Sequence, residues 1–342
     1  MFEPYRKRRF GGHEPMKMIG RFFVRFVLTL VALGFAMWVF GPYEPVDYTT
    51  DFDETQLEDS VDDYLATQEA RFDDIRPDSE KRVVWAGSEG TKTDYVVVYL
   101  HGFSASSQEI RPVPDAVATD LGANLVYTRF QGHGRTADAM GEGTVNGWMR
   151  DTVEALAIAR KIGDKIIVLT TSTGGTLAAL AMTHPELQQQ VAGVAFIAPN
   201  FGVNNPAAAL LTMPGVRVWG PVVAGKTRSF TPLNDGQGRE WTTTYPTVAA
   251  VPMAAAVQEA VGRDYKDVAI PALFYYAAED QVVIASETDK IVENWGGAVT
   301  VERPMLGAGV DPMGHVIAGD IMSPAMTAAA TTTLLNWIGG LQ

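Results

Sequence analysis

The 342-residue sequence contains no cysteine. That absence removes disulfides, thiol catalysis and cysteine-based zinc sites together. Positive charge is also scarce: 27 Lys and Arg stand against 40 Asp and Glu, a formal net charge of −13. A surplus of that sign opposes binding to a phosphate backbone, so nucleic acid is not an expected partner. Histidine occurs only five times, which narrows the search for a general base. No internal repeat is visible, and the length suits one large domain with an insertion and a tail.

The charge that is present is unevenly spread. Residues 1–21 carry six basic side chains, Arg6, Lys7, Arg8, Arg9, Lys17 and Arg21. An apolar run follows from Phe22 to Phe40, interrupted only by Arg25. At about 1.5 Å per helical residue it can cross a hydrocarbon core of ~30 Å. Arg25 lies near the basic end, where it can snorkel, and Trp38 and Tyr43 mark the other interface. The expectation is a basic cytoplasmic leader (1–21) and a single transmembrane anchor (22–40) in the cell inner membrane. The remainder is then translocated to the periplasmic side. A cleaved signal peptide is the alternative, with Gly34-Phe35-Ala36 as a weak cleavage site, but the leader is long and apolar residues continue beyond it. A buried core helix would not need the charge asymmetry.

Residues 41–80 hold fourteen acidic side chains and two basic ones, Arg71 and Arg76. They read as an acidic, solvated stalk. Leu57, Val61, Tyr64 and Leu65 have near-helical spacing, so the stalk has the pattern of a short docked helix. From 81 to 342 short β-branched runs alternate with helical patterns. Strands are expected at Arg82–Ala86, Tyr95–Leu100, Asn124–Phe130, Lys165–Leu169, Val191–Ile197, Ala272–Tyr276 and Ala298–Glu302. Helices are expected at Pro112–Leu121, Trp148–Ile162, Thr173–Thr183 and Ser323–Ile338. This is an α/β pattern, a mostly parallel sheet with helices on both faces. About seventy residues, roughly 200–270, separate two strands. A connection that long inside a domain is usually functional and is read as a mostly helical cap over the active site. Its Leu211, Met213, Trp219 and Met253 suggest an apolar pocket, although such residues equally build ordinary core.

Ser172 follows the strand-like run Ile166–Thr171, and Thr173-Gly174-Gly175 lead into an Ala/Leu-rich helical pattern. Small residues around a serine between strand and helix suit a nucleophile elbow, a strained turn that exposes one hydroxyl. The helix start aims N–H groups at the place where an oxyanion forms. His101-Gly102-Phe103 ends the strongest early strand, and a glycine turn there brings a second N–H close. Phe103 N–H and Thr173 N–H are assigned as the oxyanion donors. His133, in Gly132-His133-Gly134, reads as a supporting loop residue. Asp280 follows a buried strand, where a carboxylate can orient an imidazole. Glu279 and Asp311 are its competitors. Of the five histidines only His315 lies between the last strand and the final helix, where a general base belongs. The order Ser172, Asp280, His315 is that of the α/β-hydrolase fold.

Taken together, Leu100-His101-Gly102-Phe103, Gly132-His133-Gly134, Trp148 with Asp151, Ser172-Thr173-Gly174-Gly175, Ala198-Pro199, Asp280 and Gly314-His315-Val316-Ile317 resemble the serine α/β-hydrolases. The pattern is close to that of the bacterial carboxylesterase and monoacylglycerol-lipase group. The resemblance covers roughly 92–340. It implies Ser172, Asp280 and His315 as triad, Phe103 and Thr173 as oxyanion hole, and His101, Gly102, His133 and Gly174 as support. Thr170 departs from the family's first elbow glycine, and Thr173 stands where Leu or Met is common. The implied activity is hydrolysis of a small ester or lipid through an acyl-enzyme, with no metal or organic cofactor. Acyl transfer or amide cleavage on the same fold is the first alternative, and a membrane-anchored binding protein without chemistry is the second.

Overall fold

The computed structural model describes residues 14–57 and 60–341. Its N-terminal unit is built around helix α1, Glu14–Phe40. Within it, Met18–Phe40 is long and apolar enough to cross a membrane, the one such helix among the described residues. Its apolar side chains, Phe22, Phe35 and Phe40 among them, are exposed along its length.

The second unit begins at Glu44. It opens with α2 (Val61–Glu69), β1 (Arg82–Val84), β2 (Thr93–Leu100), α3 (Val113–Leu121) and β3 (Asn124–Tyr127). It continues through α4 (Val145–Ile162), β4 (Gly163–Thr171), α5 (Thr173–Met182) and β5 (Val191–Ile197). An insertion carries α6 (Val216–Ala224), β6 (Thr227–Ser229), α7 (Asp235–Glu240), β7 (Thr244–Pro246) and α8 (Ala250–Val261). The chain then closes with β8 (Ala272–Tyr275), α9 (Ala285–Asn294), β9 (Val299–Glu302) and α10 (Thr327–Gly339).

Seven strands form one sheet in the order β1-β3-β2-β4-β5-β8-β9. Only β1 runs antiparallel to its neighbour. The inner strands are Val- and Ile-rich because both faces are covered. In β2, Val96, Val98 and Leu100 enter one core layer and Val97 and Tyr99 the other. Ile166 and Val168 of β4 divide from Ile167 and Leu169 in the same way. This is the two-residue period of an extended strand. Because the parallel strands share one direction, the loops after β2, β4, β8 and β9 gather at one edge, where such sheets place their sites.

Several elements differ from expectation. The segment read as stalk does contain the short docked helix that its spacing suggested, α2, capped by Ser60, whose Oγ accepts from Asp63 N–H. Leu57, Val61 and Leu65 are buried in the domain core, so the boundary expected at 81 lies inside the second unit. Helix α9 was not expected. Its surface is charged, and of its ten residues only Thr288 and Ile291 are buried, too few to leave an apolar period. The insertion contains a two-stranded antiparallel ribbon, β6 with β7, as well as helices. Its strands are three residues long, and β6 is fully exposed, so no alternation marks it. Helix α10 starts at Thr327 instead of Ser323, because Ser323 is engaged before it. Its Oγ accepts from Asp311 N–H and donates to the Val316 carbonyl.

Glu69, the last residue of α2, is bidentate to Arg129, with Oε2 to Nε at 2.8 Å and Oε1 to Nη2 at 2.7 Å. Both side chains are buried. Arg129 also donates to the His133 carbonyl, so the pair ties the acidic segment to the loop after β3. Glu69→Ala leaves an uncompensated buried guanidinium and should lower stability by about 3–5 kcal/mol, read from denaturant midpoints. A loss below about 1 kcal/mol would show that Arg129 finds water instead.

Candidate active site

Ser172 sits between β4 and α5 with φ 52° and ψ −117°. This region is costly for a residue with a Cβ, so neighbours must hold it there. Ser172 N–H donates to the Ile197 carbonyl at 3.1 Å, and the Ser172 carbonyl accepts from Asn200 N–H at 3.0 Å. Gly174 permits the turn: a Cβ on it would lie 2.1 Å from the Leu100 carbonyl oxygen. Any larger residue would push α5 away from the end of β2. Thr170, in the position expected to be glycine, is fully buried, and its hydroxyl donates to the Ala195 carbonyl of β5 at 3.0 Å. The neighbouring strand thus satisfies the extra hydroxyl.

The turn after β2 comes up against the elbow. A Cβ on Gly102 would lie 3.2 Å from Ser172 Cβ. Phe103 follows directly, and Thr173 opens α5, where its N–H has no intrahelical acceptor. Both residues line the cavity into which Ser172 opens.

His315 lies in the loop between β9 and α10. Its Nδ1 and Asp280 Oδ2 are 2.8 Å apart, and Asp280 Oδ1 accepts from Val282 N–H at 2.8 Å and Val283 N–H at 2.9 Å. Asp280 is therefore fixed by the backbone after β8 and in turn fixes the ring. The competitors are placed elsewhere. Glu279 is exposed. Asp311 accepts from Met313, His315 and Val316 N–H groups and so shapes the loop rather than touching the imidazole. Burial lowers the His315 pKa, but the bond to Asp280 and the charges of Asp280, Glu109 and Asp311 outweigh it, and the net shift is upward.

The supporting histidines behave differently. His101 and His133 are fully buried, and burial pulls the first down to about 4 and the second well below its ordinary value. Both are neutral at physiological pH. His101 Nδ1 meets the Gly102 carbonyl at 2.9 Å, and Nε2 accepts from Phe130 N–H at 3.2 Å. The His133 ring packs edge-on against Phe103. Trp148 Nε1 donates to the Gln131 carbonyl, and Asp151 accepts from Gln131 N–H, which holds the loop that carries His133.

Ser172, Thr173, Phe103 and His315 open on one cavity of about 630 Å³ beneath the insertion. Its walls are mainly apolar, with Leu211, Trp219, Phe230, Trp241 and Met253 among them. Met213 is not among the lining residues. Glu109 does line it and was missed from the sequence, because a lone acid in a serine-rich turn carries no motif.

Residues 91–302 match the model of the Hydrolase_4 family, serine aminopeptidase S33. No curated protein matches the sequence. Among solved structures, one from a study of LipS and LipT, two metagenome-derived lipolytic enzymes, aligns with a TM-score of 0.61 and 20% identity over 78% of this chain and 99% of that one. The monoglyceride lipase of Saccharomyces cerevisiae aligns at 0.56 and 11% over 76% of this chain and 90% of its own. The monoacylglycerol lipase of Paleococcus ferrophilus aligns at 0.54 and 14% over 77% and 100%. At these identities the likeness is one of fold. The family match spans more than half of the chain, and the protein belongs to the Hydrolase_4, serine aminopeptidase S33, family of α/β-hydrolases.

Proposed function

We propose that the protein hydrolyses carboxylic esters with an apolar acyl part, through a Ser172-His315-Asp280 triad and an acyl-enzyme. The observation that carries this reading is the opening of Ser172 and an Asp280-bound His315 onto one mainly apolar cavity. His315 takes the Ser172 proton as Oγ attacks the ester carbonyl. Asp280 keeps the ring in the right tautomer and stabilises its cation. Phe103 and Thr173 N–H groups hold the oxyanion. The alcohol leaves with the proton from His315, and water, activated by the same imidazole, releases the acid. The lipolytic neighbours support an ester or lipid substrate.

A fluorophosphonate probe should label the full-length protein in detergent, and Ser172→Ala should abolish labelling. Ester turnover should fall by about 10⁶-fold in that variant. Equal labelling of both proteins would sink the assignment. Analysis of products with an added alcohol or amine acceptor separates hydrolysis from acyl transfer.

The base form of His315 is the active one, and its pKa is raised above 6.5. Activity should therefore be low below that pKa and gained as pH rises through it, so kcat/KM should climb through a step above ~6.5. Asp280→Asn should cut kcat by ~10⁴-fold, whereas Glu279→Gln should cost little. A pH-independent rate between pH 5 and 8 would contradict this role.

We further infer that α1 anchors the protein in the inner membrane with the catalytic unit on the periplasmic side. The six basic residues ahead of Phe22, Arg6 to Arg21, support that orientation. The protein should resist carbonate extraction from membranes, and protease added to spheroplasts should degrade the catalytic unit. Protection from that protease would reverse the topology, and a soluble form starting near residue 37 would identify a cleaved signal.

A further inference from the structure

Glu109 is a buried acid beside the reacting serine, and the triad makes no use of it. It lies in the turns between β2 and α3 and is 2% exposed. Oε2 accepts from Gly102 N–H at 2.7 Å and pairs with the Tyr99 hydroxyl at 3.0 Å. That hydroxyl is also 3.0 Å from Thr171 Oγ1, on the residue just before Ser172. One carboxyl oxygen therefore links the turn that carries Phe103 to the strand that carries the nucleophile. Oε1 lies 2.7 Å from where a Gly102 Cβ would stand, a point 3.2 Å from Ser172 Cβ, and the residue lines the catalytic cavity.

No Lys or Arg pairs with this carboxyl among the described residues. The groups that face it are Tyr99 from β2, the Gly102 amide from the turn, Thr171 of β4 through Tyr99, and His315 from the loop before α10. His315 in turn faces Asp280, Glu109 and Asp311. An uncompensated buried carboxylate is costly unless hydrogen bonds or a cation favour it. The cation this site creates is the imidazolium formed when Ser172 attacks.

We propose that Glu109 is a positioning residue of the reaction: one oxygen pins the turn that supplies Phe103 N–H, and its charge stabilises the His315 imidazolium. The inference rests on the serine-hydrolase reading above. It assigns two separable effects to one side chain, a geometric one through Gly102 and an electrostatic one through His315. Burial pushes the Glu109 pKa up to about 7, against the Gly102 and Tyr99 bonds and the pull of His315, and the charge of each group influences the other.

The test compares kcat and KM across pH for wild type, Glu109→Gln, Glu109→Ala and Tyr99→Phe. Glutamine keeps an acceptor for Gly102 and Tyr99 and removes the charge. Its kcat/KM midpoint should move to lower pH by roughly half a unit or more, because His315 loses a stabilising anion. Alanine should shift the midpoint in the same direction and also lower plateau kcat at least ~10-fold further than glutamine, with KM little changed, as loss of an oxyanion donor does. Tyr99→Phe keeps the carboxyl but removes a bond that favours its charged form, so kcat should fall and its midpoint should move to lower pH by no more than that of Glu109→Gln. A wild-type midpoint in Glu109→Gln, equal plateaus for Gln and Ala, or a Tyr99→Phe midpoint below that of Glu109→Gln would each overturn the proposal. Those outcomes require an active wild type. An inactive, unlabelled wild type would instead overturn the hydrolase reading.

Discussion

The site depends on a near-contact between backbones: the start of α5 packs against the end of β2 closely enough that Gly174 has no room for a side chain. That approach goes with the strained Ser172 conformation, brings Gly102 beside the serine, and places Phe103 and Thr173 in the wall of one cavity. The strain persists because it is held on both sides. Ile197 and Asn200, from the end of β5 and beyond, bond the Ser172 backbone, so three adjacent parallel strands share the constraint.

Around that geometry, ionisable groups are sorted by what surrounds them. His101 and His133 are buried among aromatic rings and backbone carbonyls, and burial keeps them neutral packing elements. His315 is buried too, yet its pKa moves the other way, because Asp280 is bonded to its ring and two more carboxyl groups face it. The same desolvation thus produces inert histidines and a basic one, according to the charge nearby. The acidic composition contributes in the same way: Glu69 neutralises buried Arg129, and Lys81 is held between Asp151 and Glu154 under the loop that carries His133.

Much of this was legible in the residues. A strand buried on both faces must be apolar without interruption, so β2, β4 and β5 stood out. A serine hemmed in by small residues between strand and helix marked the elbow. With five histidines in the chain, position after the last strand singled out His315. The weakly marked parts lack such signals. Helix α9 is mostly solvated and keeps no apolar period, and the ribbon β6/β7 is too short to alternate. In the acidic residues 41–80 the charge count alone read as a solvated stalk, while the near-helical spacing of Leu57, Val61 and Leu65 marked the docked segment.

Local chemistry along the chain was enough to specify strands, turns, the elbow and the apolar N-terminal helix, since each depends on side-chain periodicity or on backbone freedom over a few residues. Tertiary structure decided between acids. Glu279, Asp280 and Asp311 are equally acidic as residues, but only Asp280 is pinned by two following N–H groups in a direction that meets the His315 ring. It also put Glu109 against the Gly102 turn, where no motif in the sequence marks an acid. Such roles arise from distances between segments far apart in the chain, and those distances exist only once the sheet has brought its strand ends to one edge.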